Sequence, residues 1–116
     1  IIEKSFIQLR NDSRCVCRMI RNASDKKINV AVIGKTSYEY LVFSTGVLIS
    51  GNVLVPFSPE ISVNEALELF ERADIEMLLY EEELSEKAEA IKNAHPELRL
   101  ACSFESAEEI YCKYFS

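Results

Sequence analysis

The chain has 116 residues, with 13 Lys+Arg against 19 Asp+Glu for a net charge of -6, 48% hydrophobic residues, and only 3 Gly and 3 Pro. A globular chain of this length buries roughly two-thirds of the surface that its unfolded form exposes, enough for one core without disulfides or metal. A single folded domain is therefore expected; the low Gly and Pro content excludes collagen-like or linker-like chains, and the acidic balance excludes nucleic acid as the main partner.

From Phe6 to about Asn22, residues Leu9, Ser13, Val16, Ile20 and Ala23 recur at helical spacing, while Arg10, Arg14, Arg18 and Arg21 gather on another side. The spacing predicts an amphipathic helix. Asp25-Lys26-Lys27 turns the chain into Ile28 to Ile33, a β-branched run too continuous for a half-exposed strand and suited to one covered on both faces. Gly34 ends that strand. Thr36-Ser37-Tyr38-Glu39 has the form of a capping box with Thr36 as the cap, opening a helix to about Ile49. Gly51 releases the chain into a strand from Asn52 to Val55, which Pro56, lacking an N–H, is expected to stop.

Ser58-Pro59 reads as a loop, and Ser62-Val63-Asn64-Glu65 as a second capping box, opening a helix whose apolar side is Ala66, Leu67, Leu69, Phe70 and Ala73. Ile75 to Tyr80 is a third strand. Glu81-Glu82-Glu83 is expected to start the next helix, favoured by the positive end of its dipole, with Leu84, Ala88 and Ile91 as the stripe up to His95-Pro96. Leu98 to Phe104 is a fourth strand, and Ser106-Ala107-Glu108-Glu109 caps a last helix through about Tyr114. Helix and strand alternate four times with short connections, which predicts an α/β fold: a mostly parallel sheet of about four strands with helices on both faces. The crossovers are expected to be right-handed. Ligands in such a sheet face the carboxyl ends of the strands, here Gly34-Lys35-Thr36, Pro56-Phe57-Ser58, Tyr80-Glu81 and Ser103-Phe104.

No chemical motif survives inspection. Gly34-Lys35-Thr36 resembles the end of a phosphate-binding loop, but Asn29 stands where its first glycine is required and Val30 to Ile33 form the strand itself. Gly34, Gly46 and Gly51 are too far apart for a dinucleotide fingerprint. Ser37 and Ser58 have no predicted histidine beside them, and His95 fits a helix end where an imidazolium suits the dipole. Cys15, Cys17, Cys102 and Cys112 lack a C-x-x-C spacing and share the chain with one His, so they read as reduced thiols in a cytoplasm rather than a zinc site. The apolar stretch from Leu41 to Phe57 contains Gly46, Gly51, Asn52 and Pro56 and falls short of the roughly 20 residues of a membrane-spanning helix. The arginine stripe is a solvated face or a hold for an anionic partner: a phosphate-bearing ligand, an acidic lipid surface, or an acidic segment of its own protein. Residues 1–58 hold eight basic and four acidic side chains, net +4; residues 59–116 hold five and fifteen, net -10.

Val30 to Phe57 reads VAVIGKTSYEYLVFSTGVLISGNVLVPF. This segment resembles the N-terminal part of the AMP-forming acyl-CoA synthetase (adenylate-forming) family, which shows a hydrophobic strand, Gly-x-Asn-Ser-x-Glu, an apolar helix, a Gly, and a strand ending in Val-Pro. Upstream, Ser5-Phe6-Ile7-Gln8-Leu9 is similar to the family's Thr-Tyr-x-Glu-Leu element; downstream, the helix start at Ser62 to Leu67 and the strand Ile75 to Tyr80 look like its next units. In general appearance the chain is most similar to bacterial long-chain fatty-acid CoA ligases. It departs from the pattern at Thr36 for Asn, Tyr40 for Trp, Phe6 for Tyr and Gln8 for Glu.

The family's Ser/Thr/Gly-rich phosphate loop, its adenine and ribose contacts, its hinge and its catalytic Lys fall beyond residue 116. The resemblance therefore transfers no catalytic, cofactor-binding or metal-binding residue to this sequence. With Ile1-Ile2 in place of Met at the start, it implies that residues 1–116 are a fragment. That fragment would be the N-terminal α/β subdomain of a cytoplasmic, ATP-dependent long-chain fatty-acid CoA ligase, inactive alone and partnered by the rest of its parent enzyme. ATP, Mg²⁺, CoA and fatty acid are implied for the intact enzyme and none of them for the fragment. The alternative is a freestanding α/β binding or interaction module without catalysis.

Overall fold

In the computed structural model, which describes residues 5–114, the chain runs α1 (Phe6–Ala23), β1 (Asn29–Ile33), α2 (Tyr38–Ile49), β2 (Val53–Phe57), α3 (Val63–Arg72), β3 (Ile75–Tyr80), α4 (Ser85–Ala94), β4 (Leu100–Ser103) and α5 (Ala107–Tyr114). The strands pair in the order β2-β1-β3-β4, all parallel, as the alternation predicts.

Successive side chains of a strand point to opposite faces, and β1 uses both. Val30 and Val32 pack with Val16 and Ile20 of α1, Val42, Phe43 and Val47 of α2, and Ile110 of α5; Ala31 and Ile33 pack with Ala66 and Phe70 of α3 and Ala88 and Ile91 of α4. All of these side chains are buried, each large one contributing roughly 1.5–3 kcal/mol. In β3 the pairing shifts: Ile75 opposes Asn29 but Met77 opposes Val30, so Glu76 is an extra residue. The shift sends Ile75 to the α3/α4 face and Met77 to the other, and leaves the Glu76 carboxylate to pair with Arg99 at 2.6 Å.

α2 carries the β1-to-β2 connection over one face, while α3 and α4 carry the next two over the other. The direction of travel across the sheet reverses at the same step, so all three crossovers share one hand. The connections leaving β1 and β3, adjacent strands, diverge to opposite faces, and this makes a topological switch point at their carboxyl ends.

Several boundaries differ from the sequence reading, some through local turns and caps and some through partners distant in the chain. Ser37, not Thr36, caps α2, accepting from the Tyr40 N–H at 3.1 Å, which puts Tyr40 where a capping box needs an acid. Ser62 and Glu65 do close a capping box. Pro56 does not stop β2; it sits opposite Val32 within the strand. β2 is an edge, and since Val53 N donates to Ile28 O, position 56 directs its missing N–H away from β1.

Glu81 does not begin α4, because its N–H continues the sheet by donating to Ile33 O; a 3-10 turn at Glu82–Leu84 follows and α4 starts at Ser85. At the other end of that helix, Leu98 N donates to His95 O in a turn, which delays β4 to Leu100. Phe104 leaves β4 for a 3-10 turn capped by Ser103, so Ser103 rather than Ser106 opens the last helical stretch.

The contact between α1 and α2 is close. A Cβ added to Gly46 would lie 2.6 Å from Val16 Cγ1 and 3.0 Å from the Ser13 carbonyl oxygen. Nearby, the Tyr38 hydroxyl donates to the Asp12 carboxylate at 2.6 Å, with both side chains buried. Burial first, and the Asp12 hydrogen bond second, hold the Tyr38 phenol well above its ordinary value of 10.0.

Two outcomes follow for stability. Gly46→Ala lowers it by about 1–3 kcal/mol in urea unfolding although Ala is the better helix former, because α1 must move away; a gain in stability would show that the two helices are not in contact. A raised folded pKa contributes stability that is complete below the unfolded value and is lost as pH rises beyond it. The melting temperature therefore falls above about pH 10. Tyr38→Phe costs about 1–3 kcal/mol at neutral pH by leaving Asp12 without its donor, and flattens the alkaline loss; an unchanged alkaline slope would contradict this role.

Candidate functional site

At the switch point, Gly34 and Lys35 leave β1 beside Glu81, which leaves β3, and Phe104, which leaves β4. The approach is tight: a Cβ on Gly34 would lie 3.0 Å from Phe104 Cε2 and 3.1 Å from Glu81 Cβ. The Lys35 backbone N–H donates to Glu81 Oε1 at 2.8 Å, and its ammonium lies 3.3 Å from Glu83 Oε2 and 3.9 Å from Glu81 Oε2. Ser103 Oγ donates to Glu82 Oε1 at 2.9 Å and accepts from the Glu105 N–H at 3.1 Å. Phe104 stacks at a tilt on Phe43, ring centres 4.9 Å apart, and forms the apolar floor.

The crevice above that floor has a volume of about 370 Å³ and is lined by Glu39, Glu81, Glu82, Glu83, Glu105 and Glu108, with Ser37 and Ala107. Three of the four predicted strand ends thus meet. The fourth does not: Pro56, Phe57 and Ser58 lie at the sheet edge, beside Leu69, Arg72 and Ala73 of the α3 end. Of these glutamates the sequence reading placed only Glu81 at the strand ends. The signal was present, since acids favour the first turn of a helix and each helix here follows a strand, which collects those turns at the carboxyl edge of the sheet. Tyr80 keeps its proton above the ordinary value, chiefly through burial and then the charge of Glu82.

The other candidates have structural duties. His95 is buried at the opposite edge of the sheet, its Nε2 donating to the Ile75 carbonyl at 3.0 Å and its ring edge-on to Phe70. It ties the end of α4 to the start of β3. Ser37 caps α2, and Ser58 forms a local turn in which it accepts from the Glu60 N–H and donates to the Glu60 carboxylate. All four cysteines are free; burial raises the thiols of Cys15 and Cys102 above their ordinary value, which disfavours the nucleophilic thiolate. Arg10, Arg14, Arg18 and Arg21 are all exposed. Arg18 donates to the Tyr114 carbonyl at 2.6 Å and Arg21 to that of Ile49 at 3.4 Å, so half the stripe closes the ends of α5 and α2. Among the described residues no helix is long and apolar enough to cross a membrane.

No family model matches the sequence, and no curated protein matches it. Solved structures do match. The anthranilate CoA ligase AuaEII in complex with anthranoyl-AMP superposes with a TM-score of 0.86 over 95% of this chain at 16% identity, the match covering 22% of that ligase. ATP-bound MatB from Rhodopseudomonas palustris matches at 0.80 over 96% of this chain and 23% of its own, with 16% identity. A Mycobacterium tuberculosis fatty acyl CoA synthetase matches at 0.83 over 98% and 24%, again at 16% identity. The chain spans less than a quarter of the length of each of these proteins. The likeness shows the fold: an α/β unit that forms one portion of solved CoA ligases.

Proposed function

We propose that residues 1–116 are the N-terminal α/β subdomain of a cytoplasmic, AMP-forming acyl-CoA ligase acting on a long-chain fatty acid, and that this unit supports the active site without supplying its chemistry. The carrying observation is the superposition of 95% of the chain on one portion of a CoA ligase at a TM-score of 0.86. The sequence elements from Val30 to Phe57 add to it, as do four free cysteines, which suit a reducing compartment. The long-chain preference rests on the sequence likeness and on a fatty acyl CoA synthetase and a fatty acyl-adenylate ligase study among the structural neighbours.

The intact enzyme would use ATP and Mg²⁺ to convert a carboxylate into an acyl-adenylate and then pass the acyl group to the CoA thiol. The residues present here do not fit those groups. Six glutamates line the strand-end crevice, so a polyphosphate would meet charge of its own sign, and the lysine at its rim is already drawn to Glu81 and Glu83. Among the described residues no cluster of three His, Cys, Asp or Glu side chains could hold a metal ion. The part these residues play in this reading is mechanical: a sheet covered on both faces that presents fixed edges to the remainder of the enzyme.

The test is carboxylate-dependent formation of AMP and pyrophosphate from ATP by the whole encoded protein, with palmitate and anthranilate compared. The reading predicts palmitoyl-CoA formation, with palmitate preferred. Activity on anthranilate alone would keep the ligase and overturn the chain-length assignment. No turnover with either would favour a binding module.

A further inference from the structure

The outward face of α1 is basic. The helix buries Cys15, Val16, Cys17, Met19 and Ile20, and it also buries Asp12, its one acid. What it shows to solvent includes Arg10, Arg14, Arg18 and Arg21, which fall within about 80° of arc at 100° per residue. No acid shares that face. Arg18 and Arg21 reach backbone carbonyls, whereas Arg10 and Arg14 make no hydrogen bond or ion pair among the described residues. The acidic half of the chain therefore does not neutralise this face, although the chain as a whole carries a net charge of -6.

The same face is apolar at its N-terminal end. Phe6 is 87% exposed and Ile7 63%, and with Leu9 and Ile49 they line an open cleft of about 350 Å³ between α1 and α2, rimmed by Arg10. An acidic polypeptide would complement the arginines and leave the phenylalanine and isoleucine in water. A free phosphate would find exposed arginines strung along a convex helix rather than a pocket. An anionic bilayer surface satisfies both halves, because a helix lying flat on it places cations against lipid phosphates and apolar side chains at the boundary of headgroups and acyl chains.

We infer that α1 is a membrane-surface helix. Arg10, Arg14 and their two neighbours face the phosphates of anionic phospholipids, and Phe6 and Ile7 enter the interface beside them. This inference stands apart from the ligase reading, since it uses neither the strand-end crevice nor any catalytic step.

Vesicle sedimentation of the encoded protein tests it, with vesicles of phosphatidylcholine alone compared with equal parts of phosphatidylcholine and phosphatidylglycerol. The protein should sediment with the mixed vesicles only, and less as salt rises. Arg10→Gln with Arg14→Gln should lower the partition coefficient roughly thirtyfold. Phe6→Ser with Ile7→Ser should lower it as well. All four side chains are exposed, so circular dichroism should show both double variants folded. Failure to sediment with the mixed vesicles, sedimentation indifferent to phosphatidylglycerol, or binding unchanged by the arginine pair would each overturn the inference. Binding to polyglutamate without binding to vesicles would also overturn it and assign the face to an acidic protein.

Discussion

The burial of β1 on every side is the constraint from which the remaining architecture follows. The strand has a parallel neighbour at each edge and a helical layer on each face, so Val30, Ala31, Val32 and Ile33 are all removed from water. A strand in that position needs apolar side chains without interruption, and it determines where the other elements go. Helices α1, α2 and α5 collect against Val30 and Val32, and α3 and α4 against Ala31 and Ile33. The backbone N–H and C=O groups of a strand so placed have only the two neighbouring strands to bond, which is why β2 and β3 lie hydrogen-bonded along its two edges.

That placement also creates the crevice at the carboxyl edge. In doubly wound sheets the point where connections diverge is where ligands bind. Here the divergence between β1 and β3 is bridged from within: Glu81 accepts from the Lys35 backbone and faces its ammonium, and Gly34 lets Phe104 and Glu81 close over the strand end. The glutamates around it leave the crevice strongly acidic. The surface chemistry of the chain is divided, acidic at the strand ends and basic along α1, and the two regions suit different duties.

Most of the elements were legible because their signals are local. A continuous β-branched run, a serine three residues before a glutamate, and apolar stripes at helical spacing depend on neighbours in sequence, and β1, α3 and β3 fell where those signals put them. Other features lie where the deciding partner is remote. Pro56 is tolerated within β2 because that strand has no neighbour on its outer side, a fact about topology. Glu76 sits inside an apolar strand because a register shift frees it to pair with Arg99.

Gly46 reads as an ordinary helix glycine until α1 is seen against it, and the hydrogen bond between Asp12 and Tyr38 joins residues on different helices. The crevice was legible only in outline: its four strand ends were named, three of them converge, and the glutamates that set its charge sit in turns that follow those strands.

Native-state amide hydrogen exchange, run with and without ATP–Mg²⁺, tests the central claim of a braced sheet with a self-closed edge most directly. The amides of Val30 to Ile33 should exchange only through global unfolding, the Lys35 amide held by Glu81 should be strongly protected, and the nucleotide should alter neither. Exchange of the β1 amides faster than those of the edge strands, or a change at Lys35 and Glu81 when ATP–Mg²⁺ is added, would contradict it.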